Sequence, residues 1–327
     1  MTSSTPVDLL ILGGGWTYTF LQPLLSTSHP AISFAATTRD GRSNTIAWTF
    51  DESKGKEQFE GLPKAKTVVV VFPIKGEGGS RTLVEGYEGV NGAARWIQLG
   101  SSGIWDGGPT LRLADPDAKK PGFQWTDRHS AFDTTNARAI AEIELLSIHD
   151  NTFVLNLSGL WGGTRDPINW VSRVAPTKAA VAGKASIHLI HGLDVARAIV
   201  AVHLSSKNKK GEQPPGYSEK MEVSHAAQKE LGERYLLTDL RVYDWWDLIL
   251  AWGLPPPESS SADYSPGEAG KPLHGYQPVW VLELMAEQKI RAVPRSPEQL
   301  GRALDSSAFW IDFGLVPVKG RIERGRL

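Results

Sequence analysis

The sequence predicts an α/β fold built on a doubly wound parallel sheet. Short apolar runs alternate with helix-length segments through the first half of the 327 residues, and this alternation favours parallel strands joined by helices. Several runs are apolar on both faces, as strands buried between two layers of helices must be. The first run, residues 7–13, enters a glycine triplet and continues as an apolar helix-like segment, which is typical of a dinucleotide-binding fold.

The individual elements follow from the same patterns. Six strands are predicted in the first half of the chain, at residues 7–13, 31–39, 44–50, 66–73, 95–102 and 152–159. Two of the intervening helices are predicted at residues 78–92 and 134–149. The second half predicts a short strand followed by a helix at 185–204, and a further strand at 234–240. Two stretches rich in Pro, Gly and Ser predict exposed loops at 205–219 and 254–272.

Composition excludes several classes of function. Cysteine is absent, so the chain has no disulfide, thiolate metal site or cysteine nucleophile. A net charge of −1 gives no general attraction to nucleic acid or to an anionic membrane. The apolar runs are far shorter than the roughly 20 residues that span a bilayer, and the N-terminus lacks a signal-peptide pattern. We therefore expect a cytoplasmic monomer or homodimer whose partner is a small-molecule substrate.

The glycine loop predicts a dinucleotide site of the Rossmann type, because it follows a strand and opens a helix. Gly13 allows the tight turn, and Gly15 lets the backbone approach a pyrophosphate. Trp16 and Thr17 follow at the N-terminus of the helix, where backbone amides bind anions. Tyr18 stands where the motif has a third small residue. The alternative is a turn that merely needs positive φ.

The end of the second predicted strand distinguishes the two nicotinamide cofactors. NAD sites place an acid there for the ribose hydroxyls, whereas NADP sites place an arginine there for the 2′-phosphate. The sequence has Arg39 followed by Asp40, with Arg42 close by, and Arg39 favours NADP over NAD. The alternative is that Arg39 is a solvated turn residue and Asp40 binds the ribose. Asp51, just after the third strand, is a candidate for the adenine amino group. Two residues that end the fourth strand are also expected to face the cofactor: Phe72 and Pro73.

Four later stretches carry a resemblance to a known family. IQLGSSGIW at 97–105 is similar to a fifth strand that ends in Ser-Ser-x-x-Val-Tyr, and LNLSGLWGGTRDP at 155–167 is similar to a sixth strand and its loop. IHLIHGLDVARAIVAVH at 187–203 resembles the start of an Ile-His-x-x-Asp-x-Ala helix, and RYLLTDLRVYDWWDLI at 234–249 resembles the strand and helix that follow. On these motifs, residues 7 to about 252 resemble the extended short-chain dehydrogenase/reductase superfamily, also called the NAD-dependent epimerase/dehydratase family. The resemblance implies a nicotinamide lying along the carboxyl ends of the strands.

The resemblance also implies a catalytic set of Ser or Thr, Tyr and Lys, with Tyr-x-x-x-Lys on one helix face. Ser101 matches the family serine, whereas Thr134 and Arg138 stand at the tyrosine and lysine positions when Glu142 is the anchor. The closest match is therefore the atypical branch, which keeps the fold and loses this dyad. Arg138 and His129 are candidate catalytic replacements, the histidine because its ordinary pKa suits proton transfer near neutral pH. The alternatives are a surface histidine and a helix arginine paired with Glu142.

Tryptophans mark the expected substrate side. Trp105 and Trp161 follow the fifth and sixth strands, where ligands bind in open α/β folds. With Ser102 they predict an aromatic-lined pocket for a flat or hydrophobic substrate, and aromatic packing beneath loops is the alternative. Three further tryptophans on an amphipathic helix are predicted to be core residues: Trp245, Trp246 and Trp252. No metal site is predicted, because His188 and His191 would face opposite sides of a strand.

The predicted architecture is thus a Rossmann-type doubly wound sheet with a smaller C-terminal substrate-binding lobe. The dinucleotide-binding domain is predicted over residues 1–165, completed by about 186–204 and 233–242, and the lobe over 166–185 and 243–327. Three functions are open. They are an NADP(H)-dependent oxidoreductase or epimerase-like enzyme acting on a small organic substrate, a non-catalytic NADP-binding regulatory protein, and a non-redox isomerase or cyclase that uses the same pocket.

Overall fold

The computed structural model describes residues 5–106, 123–148, 150–206, 231–254 and 273–322. The strands are β1 (Val7–Leu12), β2 (Phe34–Thr38), β3 (Ile46–Ala47), β4 (Ala65–Val70), β5 (Arg95–Ser101), β6 (Thr152–Leu157), β7 (Gly159–Trp161), β8 (Ser186–Ile187), β9 (Leu189–His191), β10 (Glu233–Leu237), β11 (Tyr243–Asp244), β12 (Gly253–Leu254) and β13 (Leu273–His274). The α-helices are α1 (Gly15–Ser28), α2 (Gly79–Asn91), α3 (Ala137–Ile148), α4 (Val171–Val174), α5 (Lys178–Ala182), α6 (Gly192–Leu204), α7 (Trp245–Trp252), α8 (Gln277–Glu287), α9 (Pro297–Leu300) and α10 (Ser307–Asp312). Short 3₁₀-helices lie at Lys56–Phe59, Ser102–Trp105 and Pro167–Trp170.

Seven strands form one parallel sheet in the order β3-β2-β1-β4-β5-β6-β10. Parallel neighbours need crossover connections, and α1, α2, α3 and α6 provide helices on both faces. The strand order reverses at β1, which lies between β2 and β4. Such a switch point leaves a crevice at the carboxyl edge of the sheet, where open α/β folds bind ligands. The prediction of a doubly wound parallel sheet is confirmed.

The two faces of the sheet carry separate cores, because side chains alternate along each strand. In β1, Leu9 and Ile11 belong to the core beneath α1 and α6, whereas Leu10 and Leu12 belong to the core beneath α2 and α3. All four side chains are fully buried. Burial on both faces explains why the strand is a continuous apolar run rather than an alternating one.

A third core contains no residue of the seven-stranded sheet. It joins Val171 and Val181, which precede β10 in the chain, to Trp245, Trp246 and Trp252, which follow it. The indole Nε1 of Trp246 donates to Val181 O at 2.8 Å, which links the two parts. All three tryptophans are buried, so they are core residues, as their helical spacing predicts.

Some elements differ from the predicted ones. The third strand, predicted over 44–50, contains only Ile46–Ala47, because the chain turns away at Trp48, whose Nε1 donates to Gln58 O at 2.9 Å.

Helix α10 lies against the sheet, since Phe309 meets Tyr235 of β10 edge-on with ring centroids 5.5 Å apart. The predicted loops at 205–219 and 254–272 lie outside the described residues, apart from 205, 206 and 254.

The C-terminal segment 302–306 crosses the carboxyl edge of the sheet. Thr126 N donates to Ala303 O at 2.8 Å, and Asp305 N donates to Thr126 O at 2.8 Å. Leu304 N donates to His188 Nε2 at 3.0 Å. The Leu304 side chain is buried against the 3₁₀-helix that follows β5. The segment therefore covers the turn at the end of β5.

His188 is a neutral, buried acceptor in this arrangement. Burial, together with the positive charge of Arg302, lowers the pKa of the imidazole to about 3. The bond from Leu304 N needs an unprotonated Nε2, so the neutral ring is the form that fits the fold.

We expect His188→Gln to flatten the acid dependence of stability. An unfolded histidine binds its proton near pH 6.5, whereas the folded ring resists protonation down to about pH 3. The unfolded state therefore binds more protons between these values, and the free energy of unfolding falls as the pH drops, by up to about 1.4 kcal/mol per pH unit. Urea unfolding at about pH 6.5 and about pH 5 should show the wild type losing up to about 2 kcal/mol more than the variant.

His129→Gln, at an exposed position, is the matched control, and its stability should fall in parallel with that of the wild type. The same parallel fall in His188→Gln would contradict a neutral His188 in the folded protein.

Candidate functional site

The glycine loop after β1 is fixed onto β2 at the switch point. Gly13 N donates to Thr37 Oγ1 at 2.9 Å, and Gly14 N donates to Thr37 O at 3.0 Å. Gly13 and Gly15 have φ of +74° and +48°, a region that glycine adopts at no steric cost. A Cβ on Gly13 would lie 2.8 Å from Phe72 Cδ1, so this position also needs glycine for space.

Helix α1 begins in the loop, and its first turn presents backbone amides. Gly15, Trp16 and Thr17 lead the helix, and amides in a first turn have no carbonyl acceptor within their own helix. No acidic residue stands in that turn, so the positive end of the helix dipole is not neutralised by its own sequence and favours an anion.

Tyr18, which replaces the third small residue of the motif, packs away from the loop. Its ring meets Phe34 of β2 edge-on, with centroids 6.5 Å apart, and it joins the core beneath α1. Burial raises the pKa of the phenol. The helix and the strand thus pack around a tyrosine, and the space in front of Gly13 and Gly15 stays open.

A cavity of about 870 Å³ lies in front of the glycine loop. It is bounded by the ends of β2 and β4 and by the segment after β3, and its lining is Gly13, Gly15, Thr38, Arg39, Arg42, Trp48, Thr49, Phe50, Asp51, Glu52, Ser53, Lys54, Phe72, Pro73 and Ile74. Six residues expected to face a cofactor line this cavity, namely Gly13, Gly15, Arg39, Asp51, Phe72 and Pro73. Trp16 and Thr17 lie in the adjoining helical turn. A cofactor role for these residues stays a prediction.

Five charged residues line the cavity, the cations Arg39, Arg42 and Lys54 and the acids Asp51 and Glu52. Arg39 is exposed there, and among the described residues no carboxylate forms an ion pair with it. The guanidinium of Arg42 lies 3.6 Å from Asp40, whose carboxylate accepts from Thr38 Oγ1 at 3.1 Å and does not line the cavity. The Asp51 carboxylate accepts hydrogen bonds from the backbone N and the hydroxyl of Ser53. These bonds lower the pKa of Asp51.

One wall of the cavity is aromatic. Trp48, Phe50 and Phe72 contact one another: the Phe50 ring centroid lies 6.3 Å from that of Trp48 and 5.9 Å from that of Phe72, and the last two are 6.3 Å apart. We call these three residues the aromatic wall. Its Phe72 member was expected from the sequence, whereas Trp48 and Phe50 fell in the predicted third strand, and only the early end of β3 turns them toward the cavity.

Ser101, the match to the family serine, ends β5 and begins the next 3₁₀-helix. Its Oγ accepts from Gly103 N at 3.1 Å, and its own N donates to Glu142 Oε1 at 3.2 Å. A hydroxyl that accepts one bond still has its hydrogen to donate. The Ser101 hydroxyl is therefore both a helix cap and an available donor.

Thr134 and Arg138, which were expected at the tyrosine and lysine positions, have different surroundings. Thr134 is exposed before α3. Arg138 is half-buried, and its Nη2 donates to Leu99 O at 2.9 Å. Burial lowers the pKa of this guanidinium, and the nearby Glu142 opposes that effect. Arginine does not deprotonate usefully, so Arg138 can hold or orient an oxygen but cannot relay a proton.

His129 lies apart from this group. It is exposed in the loop before α3, and its backbone N donates to Asp127 Oδ1 at 2.9 Å. In the part of the chain that the structure describes, no hydrogen bond joins its ring to Ser101 or Arg138. The catalytic roles of all three residues stay predictions.

A buried ionic cluster lies beneath Ser101. Glu142 accepts from Arg234 Nη1 at 2.6 Å and from Asn156 Nδ2 at 2.7 Å, and Arg234 Nη1 also donates to Asn156 Oδ1 at 3.1 Å. All three side chains are buried. Arg234 and Asn156 were not predicted from the sequence. Their signal is a polar residue inside an apolar strand, which costs free energy unless a partner is present.

The residues predicted to line a substrate pocket are close-packed. Trp105 is 1 % exposed and its Nε1 donates to Ser130 O at 3.0 Å, and Trp161 meets His191 edge-on at 4.6 Å between ring centroids. Ser102 is buried, and its carbonyl faces Arg302 Nη2 at 3.5 Å. Of this set, none lines the cavity at the glycine loop. Their pocket role stays a prediction.

Two further observations concern metals and membranes. Within the described residues, no group of three or more His, Asp or Glu side chains is arranged to hold a metal ion. His188 accepts from Leu304 N, and His191 Nδ1 accepts from Leu193 N at 3.0 Å. Among the described helices, none has the length and apolar character needed to cross a bilayer.

Comparisons by sequence find no relative: no family model matches the chain, and no curated protein matches it. Solved structures match nearly the whole of it. A candidate NAD-dependent epimerase/dehydratase from Methylobacillus flagellatus has a TM-score of 0.54 at 13% identity, over 97% of this chain and 95% of that one. Vestitone reductase from alfalfa (Medicago sativa) has a TM-score of 0.54 at 15% identity, over 94% and 92%. UDP-N-acetylglucosamine 4-epimerase from Bacillus cereus has a TM-score of 0.50 at 9% identity, over 95% and 94%.

Likeness at such low identity establishes the fold and leaves substrate and reaction open. The strand order, the two helix layers and these structural matches agree. The chain has the Rossmann-type fold shared by proteins of the NAD-dependent epimerase/dehydratase, or extended short-chain dehydrogenase/reductase, superfamily.

Proposed function

We propose that the protein binds NADP(H) in the cavity at the glycine loop and acts as an oxidoreductase on a small organic substrate. The observation that carries the proposal is the cavity itself, where glycines at positive φ, a helix N-terminus, an unpaired arginine and an aromatic wall surround one space. NADP(H) carries groups that match these features: an adenine ring for the aromatic wall, a 2′-phosphate for the arginine, and a diphosphate for the glycine loop and the helix N-terminus.

The residues present fit the diphosphate and the adenine. Gly13 and Gly15 would let the backbone approach the diphosphate, and the first turn of α1 would supply amide donors. Gly15 supports this fit, since a Cβ built on it would have no protein atom within 4 Å and the space in front of it is open. The aromatic wall would contact the face or edge of the adenine ring. Asp51 would accept from its amino group.

The charges favour the phosphorylated cofactor. Arg39 and Arg42 line the cavity, and a guanidinium matches a phosphate with paired N–H donors. Asp40, the acid expected in an NAD site, is turned toward Arg42 and Thr38. These observations support NADP(H) over NAD(H) as the ligand.

The nicotinamide of bound NADPH would supply the hydride, while the chain's own residues orient the substrate and provide the proton. Ser101 Oγ would donate to a substrate oxygen, because its one acceptor bond is to Gly103 N and its hydrogen is available. Arg138 would hold a developing negative charge near that oxygen without giving up a proton. His129 or solvent would deliver the proton, since the imidazole is exposed.

A binding experiment tests the cofactor. Titrating the protein with NADPH and NADH, and following tryptophan quenching, should give micromolar affinity for NADPH and much weaker affinity for NADH. Arg39→Gln should weaken the binding of NADPH by about tenfold to a hundredfold, because it removes charge-assisted bonds to the 2′-phosphate. The affinity for NADH, which lacks that phosphate, should not change.

Arg81→Gln is the matched control, since Arg81 pairs with Glu85 on α2 and does not line the cavity. Equal affinities for the two cofactors would contradict the NADP assignment. Binding of neither would overturn the cofactor proposal as a whole.

A non-catalytic NADP-binding regulator is the second candidate, and specific observations favour it. Arg138 at the lysine position is bonded to Leu99 O, and the segment 302–306 covers the turn after β5. Such a protein would bind NADPH as tightly as an enzyme does, and cofactor binding would shift its affinity for a protein partner.

Turnover distinguishes the two candidates. If the protein is an enzyme, a panel of carbonyl and imine compounds should contain one that consumes NADPH steadily. Ser101→Ala should then lower kcat by about a hundredfold, in the range of a lost hydrogen bond to the developing oxyanion, without changing NADPH affinity. Ser147→Ala, whose hydroxyl only bonds Glu144 O, is the control. Tight NADPH binding with no turnover, and a partner retained only in the presence of NADPH, would favour the regulator instead.

A further inference from the structure

A four-residue turn at 162–165, just after β7, lies against the start of α1. Gly162 N donates to Arg165 O at 2.8 Å, and Arg165 N donates to Gly162 O at 3.1 Å. Gly162 and Gly163 have φ of +102° and +57°, and a Cβ on Gly162 would collide with His191 Nε2. The turn therefore depends on its glycines and has one defined position.

A chain of aromatic contacts fixes the turn to the glycine loop. Trp16 Nε1 donates to Gly162 O at 2.9 Å, and the Trp16 ring meets Phe20 edge-on at 4.9 Å. Phe20 meets His191 at 5.2 Å, and His191 meets Trp161 at 4.6 Å, all between ring centroids. Edge-on pairs of this kind add stability beyond the burial of the rings. The first turn of α1 and the turn after β7 consequently hold each other in place.

Arg165 is carried on this fixed frame. Its guanidinium carbon lies 4.5 Å from the centroid of the Trp16 ring, a cation–π geometry. The side chain is exposed, and among the described residues no carboxylate forms an ion pair with it. When the face of a guanidinium stacks on an aromatic ring, the N–H groups at its edge can still donate hydrogen bonds to an anion. Trp16 is the second residue of α1, so this charge lies one indole ring away from the amides of the glycine loop.

The order of strands indicates which anion Arg165 faces. The loop after β7 belongs to the β6 side of the switch point, whereas Arg39 belongs to the β2 side, and α1 begins between them. A dinucleotide whose 2′-phosphate reaches Arg39 therefore passes the start of α1 with its diphosphate and extends toward the β6 side. Arg165 lies on that second stretch.

We propose that Arg165 binds the diphosphate of the dinucleotide from the side opposite to the glycine loop, and that Trp16 is the positioning residue that holds its guanidinium there. The inference rests on the proposed function, because it names a further residue of the same cofactor site. The glycine loop offers neutral amides to an anion that carries two charges, and Arg165 adds the full positive charge with paired donors.

Calorimetric titration with two ligands tests the proposal. NADPH carries the diphosphate, whereas adenosine 2′-monophosphate carries the adenine and the 2′-phosphate without it. Arg165→Gln should weaken NADPH by about tenfold and change the affinity for adenosine 2′-monophosphate by less than twofold. Arg165→Lys should lie between the wild type and Arg165→Gln, because lysine keeps the charge and loses the stacked fork. Trp16→Phe removes the bond to Gly162 O. It should weaken the binding of NADPH by a smaller factor than Arg165→Gln does, and it should leave the binding of adenosine 2′-monophosphate unchanged.

Arg173→Gln is the matched control, since it removes the same charge from an exposed position of α4. An NADPH affinity for Arg165→Gln within twofold of the wild type overturns the proposal while the cofactor site stands. Equal weakening of both ligands also overturns it, because a disturbed fold would act on each of them. A wild-type protein that binds neither ligand overturns the cofactor site and this inference together.

Discussion

One buried carboxylate, that of Glu142, joins three neighbouring strands of the sheet, β5, β6 and β10. It stands on α3 and accepts from Ser101 N of β5, Asn156 of β6 and Arg234 of β10. A buried charge costs several kcal/mol unless it is paired and hydrogen-bonded, and here the pair is completed by the bond from Arg234 to Asn156. The position of the Ser101 backbone therefore depends on an ionic network, whereas the other half of the sheet depends on apolar packing.

The two halves of the carboxyl edge are packed differently. At β1, β2 and β4 the edge opens into a cavity with glycines and exposed arginines. At β5 the edge is filled, because Trp105 and Leu304 are buried together above it and Arg138 is tied to Leu99 O. The edge is thus open in front of the glycine loop and close-packed after β5.

Local sequence patterns predicted the parts of the molecule that local physics determines. Apolar runs gave the strands of the sheet, and the glycine triplet located the turn before α1, because burial on two faces and positive φ leave a direct mark on residue type. The part of the edge at β5 was harder to predict because it depends on contacts distant in sequence. Trp105 follows a strand as a pocket residue would, yet Leu304, some 200 positions later, covers it. Arg234 and Asn156 are polar residues in apolar strands that were not singled out from the sequence, and their partner Glu142 on α3 is evident only in three dimensions.

The substitution of the third glycine by Tyr18 is explained by how α1 is anchored. In the usual motif a small residue lets the helix pack closely on the strand. Here Tyr18 fills that seam against Phe34, and Trp16 reaches the other way to the carbonyl of Gly162. The first turn is thus held from both sides by aromatic rings, one toward β2 and one toward the turn after β7. An anion site gains from such rigidity, because amides that are already fixed lose little entropy when the anion binds. Two bulky residues in a glycine motif are in this way compatible with dinucleotide binding, since both rings leave the space before Gly13 and Gly15 open.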